Sequence, residues 1–110
     1  MSRDNPVDRL AALGGLILDL RLNALQAAVR ARQESLDRLA GLAVAMPDVD
    51  LSPVAAHRAE VRYQAWADAR RTEINLALAR QTARMLEDRD AARQAFGRAQ
   101  ALRALRDRKA

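Results

Sequence analysis

The chain has 110 residues, a formal net charge of +5 and only three aromatic residues. That length suits one domain at most. The absence of cysteine excludes a disulfide framework and a thiolate metal site, and fits a reducing compartment. Alanine, leucine and arginine dominate, while four glycines and three prolines leave few places for turns, a composition of long helices or coiled coil.

In chain order, Asn5-Pro6 reads as a helix start, with Asn5 as N-cap, Pro6 at the first helical position and Asp8 near the positive end of the helix dipole. Nothing then forces a stop until Met46-Pro47, where proline disfavours helical geometry in the residue before it. The stretch Leu13–Leu25 also alternates like a strand at Leu18, Leu20 and Leu22. It is leucine-rich rather than β-branched and no turn residues bound it, so helix is the better reading; Gly14 and Gly15 weaken it by about 1 kcal/mol each without ending it. Ser52-Pro53 repeats the cap-then-proline signal, and no proline follows. The expectation is an all-α antiparallel coiled-coil hairpin forming a single domain, with helix 1 over about 6–46, a loop at 47–52 and helix 2 over about 53–107.

At helical spacing, Leu18, Leu22, Leu25, Val29 and Leu36 share one face of helix 1, while Leu10, Leu13, Ile17 and Leu20 share another. One antiparallel neighbour covers one stripe, so the second face needs the loop, a second copy or another protein. Helix 2 shows a short stripe at Val54, Val61 and Ala65 and a later one at Leu78, Met85, Ala92, Phe96 and Ala99, a shift resembling a coiled-coil stutter. A turn at 47–52 pairs positions whose numbers add to about 99: Leu25 with Ile74, Leu22 with Leu78, Leu13 with Met85 or Leu86, and Leu36 with Tyr63. In that register the last fifteen or so residues project past helix 1. They are also where the charge lies. Residues 91–110 carry six basic groups against Asp107. Such a basic end has three readings: a solvated helix end with local pairs such as Asp90–Arg93, a protein-docking end, or a nucleic-acid contact, the last lacking any recognition motif or aromatic interleaving.

Catalytic and metal chemistry find little footing. His57 is the single histidine, and neither a His-x-x-x-His pair nor a phosphate-binding glycine loop is present. Asp48-x-Asp50-x-Ser52 opens like a calcium loop, but Pro53 and Ala59 stand where the turn glycine and closing glutamate belong, which leaves a solvated turn. Tyr63 and Trp66 share a helix face, either as packing or as an exposed anchor for a partner. No targeting segment opens the chain, and its longest unbroken apolar or glycine run, Leu10–Leu18, is far below the roughly 20 residues of a membrane span. The expectation is a soluble, cytoplasmic, non-enzymatic protein without cofactor or membrane insertion.

The two long helices and the C-terminal run AARQAFGRAQALRALRDRK, notably Ala95-Phe96, Arg98, Ala101-Leu102 and Leu105-Arg106, resemble the FliJ-type flagellar export stalk proteins and their YscO-type secretion relatives. The chain is shorter than typical members and poorer in tyrosine, and the hairpin part of the likeness is generic. The resemblance implies a stalk inserted in a hexameric export ATPase, contacting the export gate and binding export chaperones. By it, Arg93, Phe96, Arg98, Leu102, Leu105 and Arg106 would face the ATPase or gate; the helical period adds Leu13, Ile17 and Leu20 as a second docking face at the same end. The alternatives are a structural homodimer, with two hairpins in a four-helix bundle, and a nucleic-acid-associated basic coiled coil.

Overall fold

The computed structural model describes residues 5–42 and 52–109, which form two α-helices: α1, Pro6–Leu42, and α2, Pro53–Lys109. The fold is an all-α two-helix hairpin, with no strand among the described residues. The expected ends of α1 at 43–46 and most of the loop, with Asp48 and Asp50, lie outside the described residues.

Both helix starts use the expected chemistry. The Val7 N–H donates to Asn5 Oδ1 at 2.8 Å, and the Ala55 N–H donates to Ser52 Oγ at 3.2 Å. Each bond satisfies an amide that has no partner within its own helix, and each proline occupies the first turn, where its missing N–H costs nothing. Gly14 and Gly15 lie within α1, whose backbone has no left-handed residue.

The chain packs as two compact units, one from residues 1–30 with 83–110, the other from residues 31–82. In the first, α1 turns inward Ala11, Gly14, Leu18, Leu25 and Ala28, and α2 turns inward Met85, Asp88, Ala92, Ala95, Ala99 and Leu102. Both rows follow the alternating three- and four-residue spacing of a coiled-coil seam. The buried members are small: Ala11, Ala28, Ala92, Ala95 and Ala99, with Gly14 among them. Small side chains let the backbones come close. A Cβ built on Gly14 would stand 3.7 Å from the Cα of Ala99 and 2.9 Å from Leu102 Cδ1.

The second unit has a more polar seam. Ser35 is completely buried, and its hydroxyl donates to Gln81 Oε1 at 2.6 Å. One turn away, Arg32 Nε donates to Thr82 Oγ1 at 3.1 Å. Ala67 and Ile74 supply its buried apolar groups. The inward residues of α2 here run Ala56, Ala59, Tyr63, Ala67, Arg71, Ile74 and Leu78. From Tyr63 to Ile74 the steps are four, four and three, an eleven-residue stride among sevens, which relaxes the supercoil locally. The shift expected in helix 2 lies between other stripes, the first of which, Val54, Val61 and Ala65, is exposed.

The register differs from expectation. Gly14 against Ala99 and Leu102 in one unit, and Arg32–Thr82 and Ser35–Gln81 in the other, join positions whose numbers add to 113–116, not 99. The rungs Leu25–Ile74, Leu22–Leu78, Leu13–Met85 and Leu36–Tyr63 are therefore not formed. The shift amounts to about four helical turns. Its physical reason is that matching leucine to leucine ignores how closely alanine-lined helices approach, and how strongly a buried hydroxyl needs a partner.

One consequence concerns the C-terminal end. It does not project: Ala92, Ala95 and Ala99 are buried and Leu102 packs against Gly14. α2 is nevertheless the longer helix, 57 residues against 37. The stripes also rotate. Leu22, Val29 and Phe96, expected inside, are exposed, with Ala95 taking the place of Phe96, and Val54, Val61 and Ala65 are exposed as well.

Candidate partner-binding surface

The hairpin hides alanine and leaves leucine in water. Leu10, Leu13, Leu16, Ile17 and Leu20 are all exposed, Leu16 and Leu20 at 67% and 64% of their full area. The physical cause is geometric. A seam row at Ala11, Gly14 and Leu18 puts Leu10, Leu13 and Ile17 one residue back, roughly 100° around the helix. One neighbour cannot reach both rows. The chain exposes 8512 Å² of surface, against about 6,100 Å² for a compact 12.2 kDa monomer.

Heptad positions sort the candidate residues by edge. Taking Ala11 and Ala99 as the first core position of their heptads, Leu10 and Ile17 on α1 occupy the last position, as do Arg98 and Leu105 on α2. In an antiparallel pair these last positions share one edge of the seam. Leu13 and Leu20 lie just outside it on α1, and Ala101 and Arg108 do so on α2. The register thus gathers Leu13, Ile17, Leu20, Arg98 and Leu105 on one edge, though sequence reasoning assigned them to two different surfaces.

The remaining candidates fall elsewhere. Leu102 is a seam residue against Gly14 and is not offered to a partner. Phe96 and Arg93 lie on the opposite edge, the one that carries Leu22, Val29 and Leu86. Arg106 falls at a core heptad position near the end of α2 but is exposed, its guanidinium 3.6 Å from Asp107. Arg93, Arg98 and Arg103 are exposed and make no ion pair among the described residues, so the Asp90–Arg93 pair expected on local grounds does not form.

Charge separates the two units. From the sequence, residues 1–30 with 83–110 hold twelve basic and seven acidic groups, a net +5, and residues 31–82 hold seven of each. The ion pairs of the described residues all lie within α2: Arg70–Glu73, Arg71–Asp68, Arg84–Asp88 and Arg106–Asp107. Such local, largely exposed pairs contribute little, roughly 0–0.5 kcal/mol each.

Tyr63 and Trp66 touch, ring centroids 5.9 Å apart, with Tyr63 half-buried and Trp66 55% exposed. Trp66 with Ala69, Arg70 and Glu73 lines an open surface groove, and Leu25, Gln26, Val29 and Arg30 line another. Among the described residues no three His, Cys, Asp or Glu side chains gather as metal ligands. His57 is exposed near the start of α2.

Within α1 one window of 18 residues is long and apolar enough, by length and composition, to cross a membrane, and little of it is buried. Charged residues interrupt the apolar run, so the longest unbroken stretch stays at Leu10–Leu18. No family model, curated protein or solved structure matches the chain.

Proposed function

We propose that the protein is a non-enzymatic helical-hairpin adaptor that works by presenting an apolar edge to a protein partner. The observation that carries this reading is the Leu10–Leu20 face, left in water by a hairpin whose own seam is already filled. Burying one of these half-exposed side chains would contribute on the order of 1–2 kcal/mol, so five of them make a docking surface with no reacting group.

The resemblance to export stalk proteins suggests the setting: a flagellar or type III secretion system in the cytoplasm, with a hexameric export ATPase, an export gate or an export chaperone as partner. Fold-level likeness carries no more than that. In place of a lone basic end, the hairpin offers such a partner Arg98 and Arg108 on the edge that carries the leucines. No cofactor enters the proposal.

The test is the composition of the native complex. Scattering-based mass measurement on the purified full chain should give a monomer, and the chain recovered from its own cells should be stoichiometric with a different protein. A tight homodimer with no second protein would make it a structural bundle instead. Recovery with an ATPase or secretion component would support the export setting; recovery with nucleic acid in a salt-sensitive complex would overturn the adaptor reading.

A further inference from the structure

The exposed edge is more regular than an apolar patch needs to be. Leu10, Leu13, Ile17, Leu20, Ala24 and Ala27 follow steps of three, four, three, four and three. That is the spacing of the neighbouring inward row, Ala11, Gly14, Leu18, Leu25 and Ala28, in which the exposed Arg21 holds the remaining position. A helix with two such rows, one residue out of phase, has two coiled-coil seams. The first is closed by α2. The second is open, and α2 contributes Leu105 and Ala101 to its border.

Three occupants suit an open seam in principle: a second copy, a lipid surface or a foreign helix. Charge decides among them. A second copy seated on this edge would bring one +5 unit against another, with the exposed Arg98 and Arg108 beside the contact. A lipid surface takes an amphipathic helix whose polar face is rich in Lys and Arg, whereas residues 6–20 of α1 hold Asp8, Arg9 and Asp19. The row here narrows from leucine to alanine toward residue 27, as a helix–helix contact does when backbones converge.

We propose that the edge formed by Leu10, Leu13, Ile17, Leu20 and Leu105, bordered by Arg98 and Arg108, is a second coiled-coil seam that takes an acidic amphipathic helix of a partner protein. The partner helix carries apolar residues at its own heptad core positions and Asp or Glu on its flanks, where they meet the arginines. This rests on the adaptor reading and adds to it the position, geometry and charge of the contact.

The test uses the full chain and two synthetic 28-residue peptides with identical leucine and isoleucine core positions, one flanked by glutamate and the other by lysine. Calorimetric titration at about 0.1 M salt should show the glutamate peptide binding at least tenfold more tightly than the lysine peptide, with affinity falling as salt rises. Ile17→Asp should reduce that affinity at least tenfold, and Phe96→Ala, on the opposite edge, should leave it unchanged; circular dichroism checks that both variants fold. Equal affinity for both peptides would overturn the charge assignment. Insensitivity to Ile17→Asp would overturn the location. Homodimerisation abolished by Ile17→Asp would assign the seam to a second copy, and binding to phosphatidylglycerol vesicles without peptide binding would assign it to lipid; either overturns the proposal. Should a native heterocomplex survive Ile17→Asp, the adaptor reading would stand and this seam would not.

Discussion

Residues 1–30 with 83–110 and residues 31–82 solve the same packing problem in opposite ways. The first unit has a seam of alanine and glycine, a net charge of +5 and a row of leucines in water. The second has a seam held by Ser35–Gln81 and Arg32–Thr82, no net charge, and a helix phase that slips by a stutter. Small apolar side chains give close contact but little preference for one register over another seven residues away. Buried hydrogen bonds add little net energy, yet a slipped register would leave each polar group unpaired, at a cost of about 1–3 kcal/mol. The second unit therefore supplies alignment, and the first supplies adhesive surface.

The largest expected effect is all-or-none. Because the chain lacks cysteine, paired substitutions report the register cleanly. Gly14→Cys with Ala99→Cys should oxidise to a disulfide nearly completely, given the close approach of these backbones. Leu25→Cys with Ile74→Cys, the pair favoured by leucine matching, should remain reduced. The opposite result on a reducing-versus-nonreducing gel would restore the discarded register.

Next in size is overpacking of the alanine seam. Ala99→Leu, at a position 3% exposed, should destabilise by about 1–3 kcal/mol, whereas the exposed Ala101→Leu should stay within about 0.5 kcal/mol of wild type. Thermal melts compare them directly, and equal melting temperatures would mean that the seam does not run through Ala99.

A smaller change should follow from Ser35→Ala, which takes the hydrogen-bond partner from Gln81 Oε1. A loss of about 1 kcal/mol is expected in urea unfolding, and adding Gln81→Leu should recover much of it by replacing both polar groups. The double variant should then form the Gly14–Ala99 disulfide less selectively, because the alignment device is gone. Unchanged selectivity would place register control elsewhere.

The smallest effect is a gain. A Cβ on Gly15 meets nothing within 4 Å, so Gly15→Ala should stabilise by about 0.5–1 kcal/mol through helix propensity alone. At Gly14 the new methyl must displace the end of Leu102, so Gly14→Ala should gain less than Gly15→Ala. Equal gains in parallel melts would indicate that Gly14 is not at a close approach.

Much of this architecture was legible in the residues themselves. Asn5-Pro6 and Ser52-Pro53 announce the helix starts because capping and proline chemistry are local. The surplus of leucine at Leu10, Leu13, Ile17 and Leu20 was readable because helical period is a property of one segment. The candidate site was legible only in part. Leu13, Ile17 and Leu20 stood out as a face, but their union with Arg98 and Leu105, and the removal of Leu102 into the seam, depend on which turn of α2 lies beside which turn of α1.

That last choice belongs to the tertiary structure. Several registers put apolar residues opposite apolar residues, so composition and period cannot separate them. What separates them is shape and polar satisfaction across the gap: Gly14 admitting Ala99 and Leu102, and Ser35 meeting Gln81. The segment dictated two helices with an excess of apolar surface; close packing between them decided which of that surface stays outside, because contact distance and hydrogen bonding are properties of the pair and not of either helix alone.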